Sequence, residues 1–403
     1  MIVVGAGMAG LAAADALDRN GADVVVLEAA DRVGGRVHTL RGFAGGQIAE
    51  GGGEYLDAGH SVMRGYAKRF GLRLDDVYNA GSDNPPCLYV GGHRSADPQV
   101  YDNAEDRFYT AVDDTDGDRS AARVLDRMTL SRGARRYLEH AVIRDDYTVE
   151  AKDLSIAFIN GSADASGGQE ERYRVHGGND QIPAALAGRL GSRVHLGAAV
   201  TAIARDASGV TVTAGGSRFR GDWCVLTAPL PALRAIAFTP ALPARLAEAV
   251  AQVQYGTGTK VALQYATRPW RAQGFNGDTL TDLPISTTWE ATDAQPGARG
   301  ILLVYTVGAP GRAFVALSDE DRIAAAAADV ARIYPGAQPI GAQTLSWPHT
   351  YAAYAPGQYT AYRDALRRPV GRIVLAGEHV SDLTAYMEGA ARSGLRAARI
   401  VLN

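Results

Sequence analysis

The chain begins Ile2-Val3-Val4-Gly5-Ala6-Gly7-Met8-Ala9-Gly10, an apolar run passing straight into G-x-G-x-x-G. Three consecutive apolar residues before a glycine loop predict a strand buried on both faces, as in a parallel sheet. The glycines predict a tight turn and then a helix from Leu11 to about Arg19, stopped by Asn20-Gly21. A second strand follows in Val24-Val25-Val26-Leu27 and closes on Glu28, 18 positions after Gly10. Strand, glycine loop, helix, strand and terminal carboxylate at this spacing are the dinucleotide-binding unit. Gly5 makes the turn, Gly7 lets the backbone approach a pyrophosphate, and Gly10 lets helix and strand pack closely. The helix start offers free N–H groups and a positive dipole end to phosphate. Glu28 is placed to accept hydrogen bonds from ribose hydroxyls.

A second glycine-bounded helix start stands at the other end. Ile373-Val374-Leu375-Ala376 predicts a last buried strand, then come Gly377-Glu378-His379 and Ala385-Tyr386-Met387-Glu388-Gly389-Ala390. One dinucleotide gripped by both ends makes the whole chain a single folded unit.

Composition narrows the rest. The 403 residues, 46% hydrophobic and 21% charged, allow a large core and two to three domain-sized units. A net charge of -3 without blocks of like charge argues against nucleic acid as a partner. Cys87 and Cys224, the two cysteines, fit neither a disulfide framework nor a metal site and suit a reducing, cytoplasmic setting. The eight histidines show no ligand spacing, so no metal is expected. No window approaches the ~20 apolar residues of a membrane span. With the first strand at Ile2, no leader is expected.

Between the ends, residues 101–160 carry mostly helical patterns and read as a helical insertion. Val194 to Val212 alternates as strands do, with a turn at Asp206-Ala207-Ser208-Gly209. Trp223 to Thr227 and Lys260 to Tyr265 predict strands, and Pro243 starts a helix to about Gln252. Ser318 with Asp321 forms a capping box before an alanine-rich helix. Lys260 is the notable member of its strand, because a lysine among apolar residues needs a partner or a task. A solvent-reaching lysine on an edge strand is the alternative. Glu54 lies in the triple-glycine stretch Glu50-Gly51-Gly52-Gly53-Glu54-Tyr55. It is open whether Glu54 is a base, an amine anchor or a solvated loop carboxylate.

These residues together resemble the flavin-dependent amine oxidase family, the monoamine oxidase-like group. The resemblance is carried by Gly5 to Gly10, Glu28, Arg32-Val33-Gly34-Gly35-Arg36, Gly177-Gly178-Asn179-Asp180-Gln181, Lys260, Trp347, Gly357-Gln358-Tyr359 and Ala376 through Gly394. It spans the chain, most specifically at Tyr386-Met387-Glu388-Gly389-Ala390 and loosely over 71–160 and 270–340. It implies FAD, with Arg36 near the pyrophosphate, Val200 near the adenine, Gly52 and Gly53 passing the flavin ring, and Gly377, Glu378 and Met387 lining it from the C-terminal side. It implies that Lys260 holds a water on flavin N5 and that Tyr359 and Tyr386 are two rings flanking the amine. Trp347 reads as a wall residue or as core. Several members carry a flavin-linked cysteine before the matching tyrosine. Gln358 is read as occupying that position, so FAD is expected to be held without a covalent bond.

The implied fold is α/β, a discontinuous Rossmann-like FAD-binding domain from 1–70, 174–235 and 341–403. A mixed-sheet and helical substrate domain comes from 71–173 and 236–340. The implied reaction is oxidation of an amine C–N bond to an imine or iminium by hydride transfer to flavin N5, with O2 reduced to hydrogen peroxide. The expected partners are O2 and a small amine or amide, with secondary-metabolite amines allowed and a homodimer allowed. An L-amino acid oxidase, a C–C desaturase and a non-catalytic flavin-binding protein are the alternatives. Glu54 where amino-acid oxidases often place an arginine favours an amine over a free amino acid.

Overall fold

The structure is a computed structural model and describes residues 1–97, 101–166 and 171–403. Ile2–Val4 is the middle strand of a five-stranded parallel sheet. Ile2 pairs in register with Val25 on one side and Cys224 on the other. Val194–His195 and Ile373–Leu375 form the edges. Ile2, Val3 and Val4 are all buried, which is why the run is continuously apolar and not alternating.

The first helix is Met8–Arg19, beginning three residues before the expected Leu11, with Gly7 as its N-cap. Gly10 therefore lies inside the first turn. A Cβ there would come within 1.9 Å of the Gly5 carbonyl oxygen, so only glycine closes this turn. The helix ends at the predicted place, with Gly21 at φ 82°. The last helix, Met387–Leu402, packs along the first, so closely that a Cβ on Gly394 would lie 2.1 Å from the Ala9 carbonyl oxygen. The chain's two ends are thus joined by small residues. Buried Asp15 accepts from Arg69 and Arg189, tying Ser61–Arg69 and Gln181–Leu190 to the first helix.

A four-stranded sheet contains Val200–Asp206, Gly209–Ala214, Ser217–Gly221 and Ala237–Thr239. Asp206 Oδ1 accepts the Ser208 and Gly209 amides and makes the predicted turn. A seven-stranded mixed sheet runs, edge to edge, through Pro339–Trp347, Gly258–Tyr265, Gly300–Val307, Thr287–Glu290, Thr279–Thr281, Cys87–Val90 and His93–Ser95. Sheet membership corrects two of the expected domain boundaries. The cut at 235/236 would separate Ala237–Thr239 from its partner Val200–Asp206, and the cut at 341 would split Pro339–Trp347.

Helices Asp102–Asp113, Ala121–Leu125 and Ile156–Ser166 make up much of the expected insertion. A wide π-helical stretch, Tyr137–Ile143, runs into Arg144–Tyr147. Ser318 caps Asp319–Ile333 by accepting the Asp321 amide at 3.1 Å. Among the described residues, no helix is long and apolar enough to cross a membrane.

Candidate active site

The glycine-rich stretch at 50–54 threads between the two chain ends. Gly53 donates its amide to the Arg36 carbonyl, and a Cβ on Gly52 would lie 1.9 Å from that same oxygen. On its other side, a Cβ on Gly53 would strike Met387 Sδ at 2.8 Å. Trp347 donates Nε1–H to the Gly51 carbonyl at 2.8 Å, so it braces this stretch. Arg36 pairs with buried Glu378 at 2.9 Å and also donates to the Thr350 carbonyl. The Ala352 and Ala385 amides meet the second Glu378 oxygen at 3.4 Å. Gly377, at φ 139°, has His379 stacked where a side chain would be.

Lys260 is not an edge-strand residue. Its strand lies between two others and all eight of its residues are buried. Lys260 is 6% exposed. Its ammonium donates to Glu54 Oε2 at 2.7 Å, the Gly52 carbonyl at 2.9 Å and the Glu50 carbonyl at 3.3 Å. It also lies 4.9 Å from the centre of the Trp289 ring. Three donors meet three acceptors, as a buried ammonium requires. Glu54 is 8% exposed, which removes the solvated-loop reading. Its other oxygen lies 2.9 Å from Arg174 Nη2. Arg174 also donates to Tyr55 Oη at 2.8 Å and to the Ala291 carbonyl at 3.0 Å. Asn179 holds the backbone beneath, donating to the Gly53 and Glu54 carbonyls. Buried Glu50 accepts the Asn179 amide; burial and then the Glu54 charge push its carboxyl up to about 7.

Sequence reasoning missed Arg174. The signal available was weak, a charge in the short strand Tyr173–Val175 that reaches Glu54 only through the fold.

Of the two expected rings, Tyr359 is not where the sequence reading put it. Tyr386 is at the entrance to the last helix and meets His60 edge-on, 5.5 Å between ring centres. Tyr359 instead packs on Phe158 and Tyr354, and its hydroxyl end fills the space over Gly161. Tyr351 and Tyr147 are tyrosines that share the surroundings of Tyr386. Tyr351 donates to the Asp146 carbonyl at 2.7 Å, and Asp146 lies within electrostatic reach of its ring and that of Tyr386. Gln358 turns away as well, bonding the Ala355 amide and the Gln252 carbonyl. It therefore does not mark the position of a flavin link.

Ala385 at φ 73° and Thr148 at φ 55° are the two described non-glycine residues in the left-handed region. They adjoin Tyr386 and Tyr147. Strain of about 1 kcal/mol at each is the kind of local cost that clusters at functional sites. The same turn brings in Asp145 and Asp146. Burial, and then Asp146, raises the Asp145 carboxyl well above its usual range. Asp57 is likewise pushed to about 6, by burial and then by Glu388.

A flavin dinucleotide fits these residues. A Cβ on Gly7 would enter open space at the helix start, next to the point where Gly5 turns the chain. Leu11 donates the first helical hydrogen bond, to Gly7, which leaves the amides ahead of it directed outward. Glu28 accepts the Ala6 and Ala30 amides and keeps lone pairs for hydroxyl donors. The Ala198 amide bonds Glu28, bringing half-buried Val200 to the same end. Among the described residues, no group of three or more His, Cys, Asp or Glu is arranged to hold a metal ion.

Fold and cradle together define a dinucleotide-binding α/β protein with a buried lysine held against the glycine-rich stretch at 50–54. The family model for flavin-containing amine oxidoreductases matches residues 8–170 and 114–402. The chain belongs to that family and is an oxidoreductase with a flavin cofactor. A Mycobacterium tuberculosis protein named as a flavin-containing monoamine oxidase, AofH, is 31% identical over 441 residues, covering 99% of this chain and 95% of the relative. An L-amino-acid oxidase of Demansia vestigiata is 27% identical, covering 100% of this chain and 86% of the relative. Putrescine oxidase bound to putrescine matches with a TM-score of 0.87 at 25% identity, over 100% of this chain and 98% of that one. Cyclohexylamine oxidase from Brevibacterium oxydans matches in fold with a TM-score of 0.90 at 24% identity, over 99% of this chain and 98% of that one.

Proposed function

We propose that the protein is an FAD-dependent oxidase of amine C–N bonds, yielding an imine or iminium, with O2 as electron acceptor and hydrogen peroxide as product. The observation that carries this reading is the convergence of buried Lys260, the 50–54 stretch and Met387, the residue that follows Tyr386. FAD, when bound, supplies the two-electron acceptor; the chain supplies binding, orientation and charge. Gly5, Gly7, Gly10 and Glu28 hold the adenosine diphosphate half, with Val200 beside the adenine. Arg36 and Glu378 fix the backbone between the halves, and Gly52, Gly53, Trp347, Gly377 and Met387 bound the flavin half. Tyr351 and Tyr386 orient the amine. Lys260 contributes a fixed positive charge and, by releasing its longest bond, the one to Glu50, a donor for water.

FAD is held without a covalent thioether. Cys87 and Cys224 are both buried in strands, their thiols pushed up by burial to about 11 and about 12. Two buried free thiols also support a cytoplasmic protein. A secondary-metabolite amine is within the range of substrates this reading covers.

An amine is favoured over a free amino acid for a reason different from the one the sequence suggested. Glu54 is neutralised by Lys260 and Arg174, so it does not by itself repel a carboxylate. Arg174, however, is committed to Glu54, Tyr55 and Ala291 and offers no free fork for a substrate carboxylate. The test is anaerobic flavin bleaching, followed by peroxide release in air, with amines set against the amino acids that yield them on decarboxylation. Faster bleaching by the amino acids would reverse the assignment.

A further inference from the structure

A surface crevice of about 290 Å³ opens between the end of helix Gln358–Arg367, the segment that leads from Glu378 toward Tyr386, and the last helix. Arg367, Ser381, Asp382, Arg392, Arg396 and Arg399 are among the residues that line it. Arg392, Arg396 and Arg399 follow at steps of four and three residues, so they share one face of the last helix. Like charges at that spacing destabilise a helix unless something answers them. Part of this charge is answered within the chain. Arg392 bonds Glu388 Oε1 at 2.7 Å, and Arg367 together with Arg363 holds Asp382. Among the described residues, Arg396 and Arg399 have no carboxylate partner. Five guanidiniums thus meet two carboxylates around one crevice.

Arg396 commits its two Nη groups to the carbonyls of Arg367 and Leu375, each at 3.1 Å, and its Nε is buried with no acceptor. A buried donor on a charged group is costly to leave unmet, and a guanidinium does not shed its proton to escape. Burial, and then the like charge of Arg367, hold Arg396 below its ordinary pKa; Asp382 opposes this and Arg399 adds to it. Ser381 Oγ accepts the Leu383 amide at 3.1 Å, which leaves its own O–H to donate.

We propose that this crevice binds a small oxyanion of the phosphate class, its charge answered by Arg396 and Arg399 and one of its oxygens taking the Ser381 hydroxyl. The inference goes beyond the oxidase reading and does not depend on it. None of the residues assigned to the dinucleotide cradle lines the crevice. The Ser381 segment already packs on the last helix, since a Cβ on Gly389 would lie 1.7 Å from the Leu383 carbonyl oxygen. It continues to Ala385, at φ 73°, and so to Tyr386. An oxyanion shared by Ser381, Arg396 and Arg399 adds a second tie between segment and helix.

The experiment titrates inorganic phosphate calorimetrically into the flavin-saturated protein at neutral pH, with acetate at matched ionic strength as the comparison. Saturation with flavin keeps the titrant out of the pyrophosphate site. Phosphate should bind with a Kd of ~1 mM or tighter, at least ~10-fold better than acetate, and more weakly as salt rises. Arg399 is exposed and its side chain makes no hydrogen bond among the described residues, so Arg399→Glu keeps the fold. That variant and Arg396→Gln should each weaken phosphate binding by ~10-fold or more. If Arg396→Gln fails to fold, Arg399→Glu still decides. Amide hydrogen exchange over residues 381–386 should slow when phosphate is added to the parent and not when it is added to Arg399→Glu. Phenyl phosphate distinguishes the sources: tighter binding than inorganic phosphate marks a phosphate monoester as the occupant, and weaker binding marks the free ion. Phosphate binding no better than acetate would overturn the site. So would binding unchanged in Arg399→Glu, or exchange over 381–386 that phosphate leaves unaltered. Each of these failures leaves the amine oxidase reading standing, because amine-dependent flavin bleaching tests that separately.

Discussion

Glu54 Oε2 lies 2.7 Å from Lys260 Nζ, across 206 residues of chain, and both side chains are buried. The lysine is therefore held by an anion and two backbone carbonyls before any substrate arrives. Arg174 on the far side of Glu54 makes the group a cation–anion–cation series with one net positive charge beside the flavin cradle.

Removing the lysine tests what that charge does. Lys260→Met should slow flavin reoxidation by O2 more than it slows flavin reduction by amine, by ~10-fold or more on the oxidative side. It also leaves Glu54 with one cation fewer, which should lower stability by ~3 kcal/mol. Adding Glu54→Gln should restore part of that stability without restoring oxygen reactivity. Stopped-flow rates for the two half-reactions, with urea unfolding of the single and double variants, separate the effects. Equal oxygen reactivity in variant and parent would refute the role given to Lys260.

The tyrosine reassignment makes a second prediction. Tyr351→Leu should lower the rate of flavin reduction by ~10-fold, because it removes one of the two rings proposed to orient the amine, with its hydroxyl. Tyr359→Leu should act on stability instead, through the lost packing on Phe158 and Tyr354. Steady-state kinetics beside thermal unfolding of both variants discriminate. A larger catalytic loss at Tyr359 would restore the sequence-based assignment.

A third expectation concerns the cofactor's attachment. Acid precipitation of the protein should leave the yellow colour in the supernatant. Its support is now the burial of Cys87 and Cys224 and not the identity of Gln358, whose side chain faces Ala355 and Gln252. Colour retained in the washed pellet would show a covalent link.

Which of these features the sequence could disclose follows from the range of the interactions. Ile2 to Glu28 was legible because turn, helix and strand there are set by neighbours within one motif. The helix start was misjudged by three residues because Gly10 resembles a boundary, whereas Gly7 is the N-cap. The boundary at 236 parts a strand from its sheet and that at 341 splits a strand, because pairing partners lie far along the chain. Lys260 was singled out correctly as a buried charge, but its partners Glu54 and Arg174 belong to different elements that only the fold unites. Tyr351 and Tyr359 stand eight positions apart in one tyrosine-rich segment. No local rule tells which of them lies beside Asp146, since helix Gln358–Arg367 carries Tyr359 away.

The buried Asp57 carboxyl makes stability depend on pH. Burial raises Asp57 to about 6, above the ~3.9 of an unfolded chain. Between those values the folded protein binds more protons than the unfolded one, so this group's contribution falls as pH rises through the window and is flat above it. His60 and His379, both driven down to about 4 by burial, act the opposite way between ~4 and ~6.5, where the unfolded chain binds more protons. Comparing Asp57→Asn with the parent cancels the histidine contributions to first order, because both proteins retain them. Asparagine keeps the shape of the protonated carboxyl and never ionises. The variant and parent should therefore be about equally stable near pH 4, and the variant should be more stable by ~2 kcal/mol near pH 8. Urea unfolding of the flavin-saturated proteins at the two pH values measures the difference. A stability difference that does not change between them would mean that Asp57 ionises as freely in the folded chain as in the unfolded one, and its carboxylate would then have a counter-ion in solution.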